Sequence, residues 1–168
     1  MKAQTIVAAA AALFGITAKA TFSGTGFGTW YYDLEESEIC GYDVSSLNNG
    51  NALCGWYTAR TLEQVGSEYL VAMNDTQLKE DLTGYCGMQV IVTVNGVTSD
   101  LPFFIGDGCQ RCSEGSPDAT TYSESGAPGL DFSYPALNAL SGGEACDDGY
   151  IEISWEITDN KIYDLFDA

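Results

Sequence analysis

The chain has 168 residues, of which 24 are acidic, six are basic and none is histidine, so its formal net charge at pH 7 is −18. Phosphate backbones and anionic lipid surfaces repel a protein of this charge, which makes nucleic acids and membranes poor partners. A cationic wall polymer such as chitosan would be attracted, although acidity can also serve solubility alone.

The first twenty residues have the layout of a secretory signal peptide. Met1-Lys2 is followed by an alanine-rich apolar run from Ile6 to Ile16 and by the small-residue site Ala18-Lys19-Ala20. The run is about half as long as the roughly 20 residues of a membrane-spanning helix. Cleavage after residue 20 and secretion are therefore expected, with residues 21–168 forming a single domain.

Four short segments predict β-strands, because they are apolar or alternating and several are rich in β-branched residues. They cover 68–74, 88–94, 101–105 and 150–157. The second leads into Asn95-Gly96, a strong signal for a two-residue β-hairpin turn. The fourth alternates large apolar and polar residues, which is typical of a strand with one buried face.

Helical signals are sparse. Ser133 suits the N-cap of a short helix over 134–140, and 75–82 is a weaker helical candidate. The segments 41–66 and 113–129 are rich in Gly, Ser, Asn and Thr, and both are predicted to be long loops. Loops of this length in a compact domain are often functional insertions.

All six cysteines lie in the segment predicted to be secreted: Cys40, Cys54, Cys86, Cys109, Cys112 and Cys146. An even number in an oxidising compartment predicts three disulfides. Cys109-Gln110-Arg111-Cys112 also has the CxxC spacing of zinc knuckles and redox centres. A zinc site needs four ligands, and the sequence has neither a second CxxC motif nor a histidine. We therefore predict disulfides, and neither a metal nor another cofactor.

Several segments match one family pattern in the same order. They are Gly28-Thr29-Trp30-Tyr31-Tyr32-Asp33, Ile39-Cys40-Gly41, Leu70–Asn74, Tyr85-Cys86-Gly87, Ile105–Cys112, Leu130–Ser133 and Ile153-Ser154-Trp155. Together they resemble the double-psi β-barrel of expansins, loosenins, barwin, rare lipoprotein A and family 45 endoglucanases. The resemblance implies a mainly β, six-stranded barrel with long loop insertions and one or two short helices, in a one-domain form as in loosenins.

The resemblance also implies a site. In that family an open groove is lined by an early Thr-x-Tyr segment, here Thr29 and Tyr31, and by two acidic positions. Asp107 resembles the aspartate of the family's VxD strand. Asp131 resembles the aspartate of its DLS segment, which is the general acid in family 45 enzymes and is needed for wall loosening in expansins. The histidine that often stands two residues before it is replaced by Gly129, a departure that weakens the case for an enzyme.

Hydrolysis would require a second carboxylate. An inverting glycosidase uses one protonated and one ionised carboxyl group, about 6.5–9.5 Å apart, so that a water molecule fits at the base. Asp131, between two apolar residues, is the candidate acid. Asp33 is the candidate base, since its spacing to Thr29 matches family 45 enzymes. A shift of one residue moves a strand side chain to the opposite face, so the sequence leaves the direction of Asp33 open.

Five aromatic residues could stack on sugar rings, and these are Trp30, Tyr31, Tyr32, Trp56 and Tyr57. Consecutive side chains on a strand alternate between its faces, so at least one of Tyr31 and its neighbours should be exposed. We predict Thr29, Trp30, Tyr31 and Asp107 as substrate-binding residues.

Three functions fit this sequence. The leading interpretation is a secreted monomer in the extracellular space or cell wall, similar to expansins or loosenins, that binds and loosens wall polysaccharide without hydrolysis. The ligand would be a β-glucan, cellulose, chitin or chitosan. The alternatives are an inverting β-glucan endoglucanase and a barwin-like binding or effector module, because one fold hosts unrelated activities.

By resemblance to barwin, Cys40 would pair with Cys86, which leaves three pairings for the other four cysteines.

Overall fold

The computed structural model describes residues 20–55 and 60–165. The predicted signal peptide, apart from its last residue, lies outside the described residues, as do Trp56 and Tyr57. Within the described ranges, no helix is both long enough and apolar enough to cross a membrane.

The described chain is mainly β, with nine strands and six short helices. The strands are β1 Ala20–Tyr32, β2 Glu38–Ile39, β3 Tyr42–Asp43, β4 Leu70–Asn74, β5 Met88–Val94, β6 Val97–Thr98, β7 Phe103–Cys109, β8 Gly129–Ser133 and β9 Tyr150–Lys161. The helices are α1 Ser45–Asn48, α2 Leu62–Val65, α3 Asp75–Glu80, α4 Leu82–Tyr85, α5 Gln110–Ser113 and α6 Tyr134–Leu140.

Six of these strands close into a barrel of mixed pairing. β1 pairs in parallel with β8, and β4 in parallel with β7, while the pairs β4–β8, β1–β9, β5–β9 and β5–β7 are antiparallel. β6 forms a hairpin with β5, and β2 and β3 form a separate small hairpin. The predicted fold class, a mainly β six-stranded double-psi barrel, is confirmed.

Local sequence signals explain several elements. Asn95 and Gly96 both have positive φ, 51° and 78°, as the predicted two-residue hairpin turn requires. Ser133 caps α6 by accepting a hydrogen bond from the amide of Ala136. Gly24 is required because a Cβ there would lie 2.4 Å from a ring carbon of Trp155, which fills the barrel beside it.

The two predicted loops differ in structure. The segment 41–66 contains β3, α1, α2 and a 3₁₀ turn at Leu53–Gly55, so it is more regular than predicted. One of its helices, α2, begins with a capping box between Thr61 and Gln64. The residues between α5 and β8 form no helix or strand, as predicted.

Three disulfides form, as predicted, but the pairing of Cys40 with Cys86 is wrong. The bonds are Cys40–Cys146, Cys54–Cys86 and Cys109–Cys112, with sequence separations of 106, 32 and 3. Cys86 is fully buried, and the 3₁₀ turn brings Cys54 to it. Cys40 lies in the β2–β3 hairpin, on the side of the barrel that faces the loop between α6 and β9.

Candidate functional site

Four strands bring three of the predicted site residues, Thr29, Asp107 and Asp131, into one row on the outer surface of the barrel. Thr29 of β1 is paired with Asp131 of β8. Ala72 of β4 is paired with Asp131 on one side and with Asp107 of β7 on the other. Paired residues point to the same face of a sheet, and neighbouring strands lie about 4.8 Å apart. The two aspartates therefore stand on either side of Ala72, with Cα atoms roughly 10 Å apart by that spacing. We call this set the strand row.

Asp131 forms an ion pair with the side chain of Arg111. Its Oδ1 accepts a hydrogen bond from the Thr29 hydroxyl and pairs with Arg111 Nη2 at 2.6 Å. The side chains of Arg111 and Asp131 are only 13% and 15% exposed. The groove is therefore covered at the position where the family resemblance implies an open one. The carboxylate of Asp131 thus has its Oδ1 committed as a hydrogen-bond acceptor to both Thr29 and Arg111.

The loop between α5 and β8 keeps Arg111 in place. Arg111 Nη1 donates to the carbonyl oxygen of Ala127 at 3.1 Å, and its guanidinium lies 5.5 Å from the centre of the Tyr122 ring. That ring stacks on Tyr150 at 4.2 Å and meets Phe27 edge-on. Burial raises the pKa of Tyr122, against the opposing effect of the Arg111 charge. The loop thus covers the Asp131 end of the strand row.

Asp107 has neutral partners instead. Its Oδ1 accepts from the backbone amides of Leu53 at 2.7 Å and Gly108 at 2.8 Å, and its Oδ2 accepts from the Tyr31 hydroxyl at 3.1 Å. Burial raises the pKa of Asp107, the three hydrogen bonds oppose the rise, and the negative charge of Asp131 adds to it. The pKa of Tyr31 is also raised, first by burial and then by Asp107. Asp107 is therefore the carboxyl group of the row that holds a proton more readily than usual.

A cavity of about 410 Å³ opens beside Asp107. Its lining residues are Asn51, Leu53, Asp75, Lys79, Asp107, Gly108 and Gln110. Lys79 and Asp75 form an ion pair at 2.5 Å across one turn of α3. Amide, carboxylate and ammonium groups together can donate and accept hydrogen bonds, which suits a ligand that carries hydroxyl groups.

Asp33 lies apart from the strand row. It is 2% exposed, and its Oδ1 accepts from the amides of Glu35 at 2.8 Å and Glu36 at 3.0 Å. Its own amide donates to Asn48 Oδ1 at 3.1 Å. The carboxylate thus caps the turn that follows β1. This placement comes after an irregularity in the β1–β8 register between Trp30 and Tyr32.

Trp30 also lies apart from the row, because it points to the opposite side of β1 from Thr29. Its indole nitrogen donates to the carbonyl oxygen of Ala145 at 3.3 Å. Its ring is 6.1 Å from those of Tyr42 and Tyr134, and Tyr42 is 68% exposed. We call Trp30, Tyr42 and Tyr134 the aromatic cluster.

Sequence reasoning missed several contributors to these surfaces, among them Arg111, Tyr122 and Tyr42. Arg111 had a usable signal, since it is a rare basic residue in a very acidic chain and lies inside the CxxC motif. The two tyrosines lie in segments without periodicity, and nothing in the sequence marks them.

One group of side chains has the composition of a metal site. Among the described residues, the ligand atoms of Cys109, Cys112 and Asp131 lie within 4.8 Å of one another. The two sulfur atoms are bonded to each other, however, and the metal ligand in proteins is the thiolate. The oxidised protein therefore offers only the carboxylate there.

No protein-family model and no curated protein matches the chain. The Streptomyces papain inhibitor is 18% identical over 84% of this chain and 99% of its own, with a TM-score of 0.42. A mutant Clavibacter michiganensis expansin in complex with cellohexaose is 19% identical over 83% of this chain, with a TM-score of 0.47. Cerato-platanin 2 from M. perniciosa is 14% identical over 81% of this chain and 96% of its own, with a TM-score of 0.44. The match spans 52% of the expansin chain, about half its length.

Proposed function

We propose that this protein is secreted, binds cell-wall polysaccharide and loosens its packing without cleaving it. The observation that carries the proposal is the ion pair between Arg111 and Asp131. The carboxyl group that a related hydrolase would use as proton donor is held here as a hydrogen-bond acceptor beneath Tyr122. Three disulfides favour the extracellular location, because such bonds persist in oxidising compartments.

The surroundings of Asp33 support the same proposal. A general base must reach the proton that it abstracts. Asp33 is 2% exposed, and its Oδ1 already accepts two backbone hydrogen bonds. Replacing it would disturb the turn after β1, so the residue has a structural role that accounts for its position without catalysis.

Two surfaces are proposed to hold the glycan. The cavity beside Asp107 offers hydrogen-bonding groups for sugar hydroxyls. The aromatic cluster offers the exposed ring of Tyr42, with Trp30 beside it, for the apolar faces of sugar rings. The net charge of the chain favours a neutral or cationic polymer over an acidic one. We therefore propose β-glucan, cellulose, chitin or chitosan as the ligand class.

Inverting hydrolysis is the second candidate, and one observation favours it. The raised pKa of Asp107 gives the strand row a carboxyl group that retains a proton more readily than usual, as a general acid must. Under this alternative Asp107 would take the role that the sequence assigned to Asp131. Asp107→Asn would then abolish the release of reducing ends, whereas the leading proposal expects none from the unaltered protein.

The test combines two assays on the same preparations. Sedimentation with insoluble cellulose, β-glucan and chitin measures retention, and a reducing-end assay on soluble β-glucan and chitosan measures cleavage. We expect retention without cleavage, and we expect Tyr42→Ala to weaken retention by about tenfold through the loss of one stacking contact. Val97→Ala is the control, because Val97 is 72% exposed on another hairpin.

Other outcomes assign other functions. Release of reducing ends that Asp107→Asn abolishes would establish the hydrolase. Absence of retention on every polymer would reject glycan binding and favour the effector module. Equal loss of retention in Tyr42→Ala and Val97→Ala would remove the aromatic cluster from the binding surface.

A further inference from the structure

The Cys109–Cys112 disulfide differs from the other two bonds in its position and its neighbours. It joins residues three apart around α5, and both cysteines are nearly buried, with 3% and 5% exposure. Cys112 nevertheless lines a cavity of about 320 Å³, whose other lining residues include Asn74, Gln77, Pro117 and Pro128. A small molecule in this cavity would meet Cys112 rather than Cys109, which does not line it.

We propose that Cys109–Cys112 is a redox-active disulfide that small anionic thiols of the glutathione class open by attacking Cys112. The sulfur that leaves is then Cys109 Sγ, which accepts a hydrogen bond from the Cys112 amide at 2.9 Å. An amide pointing at this sulfur stabilises the negative charge that it acquires as it leaves. A stabilised leaving thiolate speeds exchange.

One charged group next to Cys112, the guanidinium of Arg111, favours an anionic attacker. Arg111 Nη2 lies 3.4 Å from Cys112 Sγ, so a positive charge stands at the sulfur under attack. Asp131 Oδ1 lies 3.8 Å from the same sulfur and is paired with Arg111, and the released Cys112 thiolate takes its proton from solvent. The proposal concerns sulfur chemistry, and it does not depend on glycan binding.

The reaction balances with two thiols. The first thiolate bonds to Cys112 Sγ, the bond between the two cysteine sulfurs breaks, and its electron pair leaves on Cys109. A second thiolate attacks the sulfur of the first, forms a small-molecule disulfide and releases Cys112. Two electrons pass from the thiols to the protein, and the two thiol protons end on Cys109 and Cys112.

The other disulfides lack these features. Cys54 and Cys86 are 1% and 0% exposed, and they line none of the cavities described above. Cys146 is exposed, but the neighbouring acidic residues Glu144, Asp147 and Asp148 repel an anionic thiol. Charge should therefore direct glutathione to Cys112 and leave Cys146 to neutral thiols.

The experiment maps the attacked sulfur in the native protein. Protein is incubated with reduced glutathione at neutral pH, quenched with acid, alkylated and analysed by peptide mass spectrometry, while near-ultraviolet circular dichroism follows the fold. We expect glutathione on Cys112 and the alkyl group on Cys109, with the fold intact. Attachment to Cys109, earlier attachment to Cys146, or opening only after the fold is lost would overturn the proposal.

Salt and charge variants provide a second readout. Added salt should slow the reaction of glutathione with Cys112, because it screens the attraction by Arg111. It should speed the reaction with Cys146, because it screens the repulsion by the neighbouring acidic residues. Arg111→Gln should lower the rate at which glutathione attacks Cys112 by about tenfold. It should lower the rate for the neutral thiol 2-mercaptoethanol by less than about twofold, and Arg111→Lys should keep most of the glutathione rate. A salt effect of the same sign at both cysteines, or equal slowing of both thiols, would contradict the role of Arg111.

Discussion

The two ends of the strand row contain the same kind of side chain in different electrostatic surroundings. Asp131 faces a guanidinium beneath an aromatic ring, whereas Asp107 faces two amides and a phenol. The partner of Asp131 is a cation, whereas burial raises the pKa of Asp107, whose partners are neutral donors. The neighbouring groups, rather than the residue type, therefore make one end of the strand row an ion pair and the other a carboxyl group with a raised pKa.

The largest effect that would test this comparison is the loss of Arg111. Arg111→Met keeps most of the side-chain volume but leaves Asp131 without its cation. Removing one partner of a buried ion pair costs about 3–5 kcal/mol, and we expect the lower figure here because both side chains retain some exposure. Urea unfolding at pH 7 measures the change in the free energy of unfolding.

Lys79→Met is the matched control, because Lys79 forms an ion pair with Asp75 but its side chain is 57% exposed. Exposed pairs contribute about 0–1 kcal/mol. If both variants lost the same small amount, the Asp131 end of the row would not be held by its cation in the way described.

A second prediction concerns the pH dependence at Asp107. The folded pKa of Asp107 is raised, so the folded state binds a proton more tightly than the unfolded state does. The contribution of this group to stability is therefore favourable at low pH, and it is lost as the pH rises from the ordinary value through the raised one. Asp107→Asn cannot ionise and escapes that loss.

Urea unfolding of the wild type and Asp107→Asn at pH 3 and pH 7 makes the comparison. The asparagine oxygen can still accept from Leu53 and Gly108, and its NH₂ group can donate to the Tyr31 oxygen. We expect the variant to gain stability relative to the wild type as the pH rises. The opposite trend would mean that the folded protein stabilises Asp107 as an anion.

The smallest expected effect comes from Tyr31→Phe. The Tyr31 hydroxyl donates to Asp107 and lowers the pKa of that carboxyl group, so removing it should raise the pKa further. The loss of one hydrogen bond should cost about 1 kcal/mol. A carbon-13 NMR titration of the Asp107 carboxyl group measures the shift, and Tyr85→Phe serves as a control elsewhere on the surface. A fall in the pKa of Asp107 would contradict the assigned direction of the hydrogen bond.

The sequence predicted the elements that local chemistry determines. Asn95-Gly96 specified its turn through backbone conformation, and Ser133 specified the start of α6 through its cap. The family resemblance, combined with strand alternation, also brought Thr29, Asp107 and Asp131 into one group. The turn and the cap depend on residues that are close in sequence, whereas the grouping of the three site residues rests on the resemblance.

The features that the sequence did not predict depend on barrel closure. The Arg111 to Asp131 contact crosses 20 positions, and the loop that supports it has no periodic pattern. The partner of Cys40 lies 106 positions away, and the β2–β3 hairpin that holds Cys40 contacts Trp30 through Tyr42. Asp33 lies outside the strand row because β1 ends at Tyr32 and the Asp33 carboxylate caps the turn that follows. Local propensity and residue spacing do not predict contacts between residues that are far apart in the sequence.

The Cys40–Cys146 bond has a consequence for survival among extracellular proteases. Any single cut between these two cysteines leaves two fragments that remain covalently joined. The exposed residues 114–118 are typical of a site where a protease would cut, and they lie inside this interval. A chain nicked there would keep all six barrel strands in one molecule, and it would separate into two pieces only on a denaturing gel run with reductant.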